Sequence, residues 1–127
     1  IEEEAITNVH LTGKVSEEEK VWFYANCEAF LFPSSFEGFG LPVIEAMQFG
    51  KPVFSSSQTS LAEIGGSCAY FWDTLEPTAM KQLIDEKLAR FYDNPQYAAE
   101  EKRYADTFSY KRHFDAYDRL YSTILNK

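Results

Sequence analysis

A run of four apolar residues, 29–32, does most to limit the folds open to this 127-residue chain. Pro33 closes the run, and the stretches on either side carry apolar residues at helical spacing. A short, continuously apolar strand is typical of a parallel sheet that helices cover on both faces. The pattern therefore predicts an α/β fold in which strands and helices alternate along the chain.

Signals for strands and helices alternate through the first half of the sequence, and the second half is helical. The predicted strands cover 8–13, 29–32, 52–55 and 69–72. The predicted helices cover 16–26, 42–50, 77–92, 95–107 and 109–125. This order predicts a Rossmann-like parallel sheet with flanking helices and a helical C-terminal tail. Ligands of such folds bind at the carboxyl ends of the strands, so the loops after Leu11, Phe32 and Phe54 should share one edge.

Length and charge narrow the functional classes. A chain of 127 residues makes one domain, and 20 acidic against 12 basic residues give a net charge of −8, which argues against a nucleic-acid partner. No stretch is apolar enough to span a membrane, and the acidic start differs from a signal peptide, so we expect a cytoplasmic protein. That start also resembles the tail of a helix that begins upstream. Cys27 and Cys68 are expected to be free, buried thiols.

The last predicted helix carries an apolar stripe at three- and four-residue spacings. The residues of the stripe are Phe114, Tyr117, Leu120, Tyr121 and Ile124. Such a stripe is typical of a helix face in the core, and we interpret it in that way.

The segment 34–46 contains the candidate chemistry. Gly38 and Gly40 permit positive φ and remove Cβ atoms, so that backbone amides can approach a phosphate or a sugar closely. A helix that begins near Pro42 adds its positive dipole end at the same place. Glu45, one turn into this helix, can accept two hydrogen bonds from the diol of a ribose. The same residues are also compatible with a tight strand-to-helix turn that binds nothing.

Glu37 and Glu45 match the E-x7-E signature of the retaining GT-B glycosyltransferases. The sequence around them, Glu-Gly-Phe-Gly-Leu-Pro-x-x-Glu-Ala, resembles that of glycosyltransferase family 4, also called group 1. Further matches follow in order along nearly the whole chain, at 13–15, 33–34, 50–53, 61–66 and 108–110. The chain is therefore similar to the C-terminal, donor-binding domain of these enzymes.

The resemblance implies roles for individual residues. Glu45 corresponds to the glutamate that binds the ribose hydroxyls, and Glu37 to the catalytic glutamate beside the transferred sugar. The loop that contacts the sugar and the diphosphate corresponds to Gly38, Phe39, Gly40 and Leu41. The loop beside the nucleobase corresponds to Lys14 and Val15. Ser55 and Glu63 are given no role.

The implied reaction is the transfer of a glycosyl unit from a nucleoside-diphosphate sugar to a hydroxyl acceptor, with retention of the anomeric configuration. The acceptor would be a glycan or a lipid-linked sugar, as in polysaccharide biosynthesis, and the full enzyme could lie at the periphery of a membrane. No metal or other cofactor is expected, and His10 and His113 lack the neighbours of a metal site.

The family also uses an Arg/Lys pair and an N-terminal domain that do not precede Ile1. We therefore expect 1–127 to be a single, truncated C-terminal domain that is inactive by itself. Two other functions stay open. One is a non-catalytic nucleotide-sugar-binding half-domain, and the other is a GT-B-like sugar-nucleotide epimerase, which should lack the Glu-Gly-Phe-Gly-Leu-Pro wording.

Overall fold

The computed structural model describes residues 6–125 of the chain. The helices are Glu17–Asn26 (α1), Leu41–Gln48 (α2), Leu61–Gly65 (α3), Pro77–Asp93 (α4), Pro95–Ala105 (α5) and Tyr110–Leu125 (α6). A 3₁₀ turn over Asp106–Phe108 joins α5 to α6, and the strands are Phe30–Phe32 (β1), Val53–Ser56 (β2) and Tyr70–Trp72 (β3). None of the helices in the part that the structure describes is long and apolar enough to cross a membrane.

The three strands form one parallel sheet in the order β1-β2-β3. Leu31 pairs with Phe54, and Phe54 pairs in turn with Tyr70. Since α2 connects β1 to β2 and α3 connects β2 to β3, each crossover contains a helix, as parallel strands require. The α/β prediction of a Rossmann-like sheet with flanking helices and a helical tail is confirmed.

The core lies between the sheet, α2 and α3. Val43 and Met47 of α2 are fully buried, as are Val53 of β2 and Leu61 of α3. The first half of α2 begins with Leu-Pro and is apolar thereafter, which lets the helix insert into this core. Because α2 is anchored on one side in this way, its first turn is held at the carboxyl edge of the sheet.

The helix that precedes β1 starts where the sequence predicts. The Ser16 hydroxyl accepts a hydrogen bond from the Glu19 amide at 3.2 Å, and the Glu19 carboxylate accepts one from the Ser16 amide at 2.8 Å. These two bonds are the predicted capping box, and they satisfy two amides that would otherwise lack partners.

The predicted strand over 8–13 is wrong. No residue of this segment pairs with another strand in the structure, and Leu11 is 81% exposed. A weak alternation of apolar residues can form a strand only beside a sheet edge that accepts its hydrogen bonds. The interpretation of 29–32 as a strand covered on both faces also needs correction, because Leu31 is 47% exposed.

The apolar stripe of α6 is exposed as well, which contradicts its interpretation as core. Its five residues are between 48% (Tyr117) and 59% (Phe114) exposed. Among residues 6–125, α6 contacts mainly the 3₁₀ turn before it, so no described element covers the stripe. The spacing correctly identifies an apolar helix face, but it contains no information about what packs on that face.

Candidate functional site

The loops after β1 and β2 meet at the carboxyl edge of the sheet. The Ser60 hydroxyl donates a hydrogen bond to the Phe39 carbonyl at 2.9 Å, and the Ser56 hydroxyl donates to the Ser34 carbonyl. The prediction that these two loops share one edge is confirmed. The loop after Leu11 makes no hydrogen bond to either of them within the described residues.

Thr59 fixes the backbone of Glu37. Its hydroxyl accepts from the Glu37 amide at 3.1 Å and donates to the Glu37 carbonyl at 3.0 Å, and the Ser60 hydroxyl reaches the same carbonyl at 3.2 Å. Thr59 has a φ of 53°, which is costly for a β-branched residue and is maintained only where the surroundings enforce it. The Glu37 carboxylate has no hydrogen bond or ion pair within residues 6–125, so it is left available to a ligand. Sequence reasoning missed Thr59 and Ser60 because they are 22 and 21 positions from their partners.

The two glycines of the loop differ in their backbone requirements. Gly40 has a φ of 107° and is the N-cap of α2, and a Cβ built on it would lie 2.8 Å from Leu61 Cδ2. Gly38 has no positive φ, and a Cβ there would meet nothing within 4 Å. Both glycines permit positive φ, and of the two only Gly40 adopts it.

The start of α2 contains backbone amide groups without a hydrogen-bond acceptor among residues 6–125, at the exposed Phe39 and Leu41 and at the buried Gly40. The N–H groups of Phe39, Gly40 and Leu41 have no acceptor anywhere in the described part of the chain, and α2 has no side-chain cap. Pro42 contributes no N–H. Because the helix dipole places partial positive charge at this end, the arrangement suits an anionic group.

Glu45 is held by two side chains of α1. Lys20 Nζ lies 3.2 Å from Glu45 Oε1, and the Tyr24 hydroxyl donates to Glu45 Oε2 at 3.0 Å. Lys20 also pairs with Glu17 at 2.9 Å. Burial raises the pKa of Tyr24 well above its usual range, with the Glu45 carboxylate adding to the effect, so the phenol stays protonated and donates.

Sequence reasoning missed Lys20 and Tyr24 as well. Their spacing of four residues places them on one face of α1, and this was the signal available in the sequence. The spacing does not reveal that the face is directed at Glu45, since that depends on how α1 and α2 pack.

The two residues predicted to lie beside the nucleobase, Lys14 and Val15, differ in their surroundings. Val15 is half-buried and, together with Lys20, Tyr24 and Phe30, lines a cavity of about 180 Å³ between α1 and β1. Lys14 is exposed and forms no ion pair with the residues that the structure describes.

A wider cleft borders the other side of the glycine loop. Its volume is about 650 Å³, and its lining includes Phe39 and Ile64 together with Arg112 and Arg119 of α6. Phe39 is 46% exposed and meets Phe108 edge-on, with the ring centroids 6.3 Å apart. Sequence reasoning gave no role to these two arginines, because α6 is far from the loop along the chain.

No cluster of three or more histidine, cysteine or acidic side chains that could hold a metal ion occurs in 6–125. The expectation of a metal-independent reaction stays a prediction.

The family model and the similar proteins that match this chain are all glycosyltransferases. The model of the family described as "Glycosyl transferases group 1" matches residues 1–108. The chain is 38% identical over 80 residues, 63% of its length, to the O-antigen chain mannosyltransferase B of Escherichia coli. It is 32% identical over 116 residues, 87% of its length, to the D-rhamnosyltransferase WbpZ of Pseudomonas aeruginosa. It is 33% identical over 88 residues, 69% of its length, to the MMP alpha-(1->4)-mannosyltransferase of Mycolicibacterium hassiacum. These matches span 21%, 29% and 21% of the three relatives, respectively.

Proposed function

Because the chain belongs to the group 1 glycosyltransferase family, we propose that residues 37–45 form the donor site of a retaining glycosyltransferase. The substrate is a nucleoside-diphosphate sugar, and the glycosyl unit passes to a hydroxyl acceptor. The observation that carries this proposal is the set of unpaired amides at the start of α2, with the carboxylates of Glu37 and Glu45 on the flanking segments.

Each part of the donor has a matching group. The amides of Phe39, Gly40 and Leu41 bind the diphosphate, and Gly38 leaves room for its close approach. Glu37 accepts hydrogen bonds from the transferred sugar, which positions the anomeric carbon. Glu45 accepts hydrogen bonds from the ribose hydroxyls. Lys14 and Val15 lie on the side of the nucleobase.

The same groups contribute to the chemistry of the transfer. As the glycosidic bond breaks, negative charge develops on the departing diphosphate, and preorganised dipoles at that position lower the barrier. The amides and the dipole of α2 supply part of this stabilisation, and no metal ion or other cofactor belongs to the proposal. Retention of configuration is part of the proposal because Glu37 to Glu45 follows the signature of the retaining enzymes.

The names of the relatives suggest the sugar. Two of the three compared proteins are mannosyltransferases and one is a D-rhamnosyltransferase, so we propose a mannosyl or rhamnosyl unit. The O-antigen relative suggests that the acceptor is a growing glycan or a lipid-linked sugar.

The test is donor binding by the enzyme that carries this chain. Guanosine diphosphate mannose and uridine diphosphate glucose are titrated calorimetrically against the parent protein and its Glu45→Ala variant. Loss of the diol hydrogen bonds should weaken binding by about 1–3 kcal/mol. Glu18→Ala, which removes an exposed acid of α1, is the matched control.

Unchanged affinity in Glu45→Ala would remove Glu45 from the site. Product analysis tests the reaction itself: the linkage formed should have the anomeric configuration of the donor. Inverted product, or epimerised donor without any transfer, would exclude a retaining transferase.

A further inference from the structure

Resting on the donor site proposed above, we propose that Tyr24 is a positioning residue that aligns the Glu45 carboxylate for the ribose diol. Tyr24 touches Glu45, not the donor, so its contribution passes through the carboxylate.

The hydrogen bonds to Glu45 leave room for a ligand. A carboxylate has about four lone-pair positions on its two oxygens. Tyr24 occupies one position on Oε2, and Lys20 occupies one on Oε1. One position on each oxygen remains, which is the number that two neighbouring hydroxyl groups need. The protein bonds therefore orient the carboxylate without blocking it.

Tyr24 is the more rigid of the two partners. Its side chain is only 7% exposed, and its ring stacks on Phe49 with centroids 5.9 Å apart and meets Phe30 edge-on at 5.4 Å. Because three packed rings fix the phenol, the hydroxyl has one position relative to α2. The Glu45 side chain is itself only one-third exposed, so the rigid Tyr24 hydroxyl sets the position of its carboxylate oxygens.

Lys20 contributes less than Tyr24 to the orientation of the Glu45 carboxylate. Its ammonium group is shared between Glu45 and the exposed Glu17, and its flexible stem loses rotamer freedom when the pair forms. Both side chains of the Lys20–Glu45 pair are one-third exposed, so solvent screens their attraction in part. The geometry therefore assigns the alignment of Glu45 to Tyr24 and only screening of its charge to Lys20.

The experiment removes one oxygen atom. Tyr24→Phe keeps the ring and its stacking but deletes the O–H that reaches Glu45. In the enzyme that carries this chain, the KM for the preferred donor should rise about three- to tenfold while kcat changes little. Lys20→Met, the control on the same face of α1, should change the KM less than Tyr24→Phe does.

A donor analogue without the ribose 2′-hydroxyl separates alignment from general damage. The affinity ratio between the normal donor and this analogue does not depend on the folded fraction, because both are measured in one sample. Tyr24→Phe should reduce this ratio, and it should have no further effect in a Glu45→Ala background.

The outcomes distinguish the two proposals. If Glu45→Ala leaves donor affinity unchanged, the donor site itself is misassigned. If Glu45→Ala weakens binding but Tyr24→Phe changes neither the KM nor the affinity ratio, the donor site stands and the positioning role is overturned. An equal loss for donor and analogue in Tyr24→Phe would likewise overturn it, since that pattern reflects only a looser fold.

Discussion

Glu101 on α5 is the most unusual ionisable residue of the described chain. It is 2% exposed, and neither of its carboxyl oxygens has a hydrogen-bond partner within 6–125. Burial raises the pKa of Glu101 to about 9, and the nearby backbone of Val53 opposes this only in part. A carboxyl group in such surroundings remains protonated at neutral pH because the charged form is poorly solvated.

Stability should therefore fall with rising pH because of Glu101. Its folded-state pKa lies above the ordinary value of 4.5, so the native state binds the extra proton between about pH 4.5 and 9. The contribution of the protonated Glu101 to the free energy of unfolding is fully present below pH 4.5 and is lost as the pH rises towards 9. Glu101→Gln should be close to neutral at pH 4.5 and stabilising by roughly 4 kcal/mol at pH 8, since one pKa unit corresponds to about 1.4 kcal/mol. Urea unfolding at both pH values measures this, and a difference between variant and parent that is independent of pH would contradict it.

Gly38 and Gly40 provide a matched pair of substitutions in one loop. Gly40→Ala places a methyl group 2.8 Å from Leu61 Cδ2 at a φ of 107°, so it should cost about 2 kcal/mol or more of folding free energy. Gly38→Ala meets nothing within 4 Å and should leave the melting temperature nearly unchanged.

Donor affinity gives the second measurement on this pair. If the amides of the loop approach a diphosphate as proposed, Gly38→Ala should weaken donor binding in spite of its normal stability. A Gly38→Ala protein that binds the donor as tightly as the parent would show that the loop does not approach the ligand closely.

At the scale of elements, α6 departs most from the sequence interpretation. Its apolar stripe predicts core residues, yet Leu120 and Ile124 are 53% and 58% exposed. Leu120→Ala should therefore cost this chain less than about 1 kcal/mol, whereas Leu61→Ala, at a fully buried position, should cost about 2–5 kcal/mol. Chemical denaturation of the two variants measures the contrast. Equal costs would show that another part of the protein, or a second copy of it, covers the stripe.

Elements that form by local interactions were predictable, and those that depend on distant partners were not. The capping box of Ser16 and Glu19 lies within four residues and fixes the start of α1. The strand over 8–13 needed a neighbouring strand, which no local pattern supplies. The five-residue helix α3 is too short for its periodicity to be recognised.

The residues of the candidate site also divide into those that a local pattern indicates and those that only the packing of distant segments reveals. Gly40, Glu37 and Glu45 lie within nine consecutive positions and could be found from the sequence. Tyr24 could not be assigned to this group, because its contact with Glu45 joins residues 21 positions apart. The chemistry of a loop can thus be read locally, while the residues that orient it become visible only after the helices pack.

At the scale of the whole molecule, charge opposes the proposed reaction. The chain carries a net charge of −8, and the amides of the loop bring only partial positive charge to a departing diphosphate. Arg112 and Arg119 line the cleft beside Phe39, but the same cleft also contains Glu63 and Asp115. Full stabilisation of the leaving group therefore requires cations beyond those that the described residues bring to the loop.

The 127-residue chain alone should for this reason show no glycosyl transfer, even where it folds and binds a donor. The measurement combines circular dichroism to verify folding, calorimetry with guanosine diphosphate mannose, and a transfer assay with a glycan acceptor. The comparison is a longer polypeptide of a length similar to the relatives, of which this chain spans about a fifth to a third. Turnover by the isolated chain at the rate of the longer protein would mean that the amides and Glu37 suffice to stabilise the leaving diphosphate. The electrostatic argument would then be wrong, although the assignment of the donor loop would be strengthened.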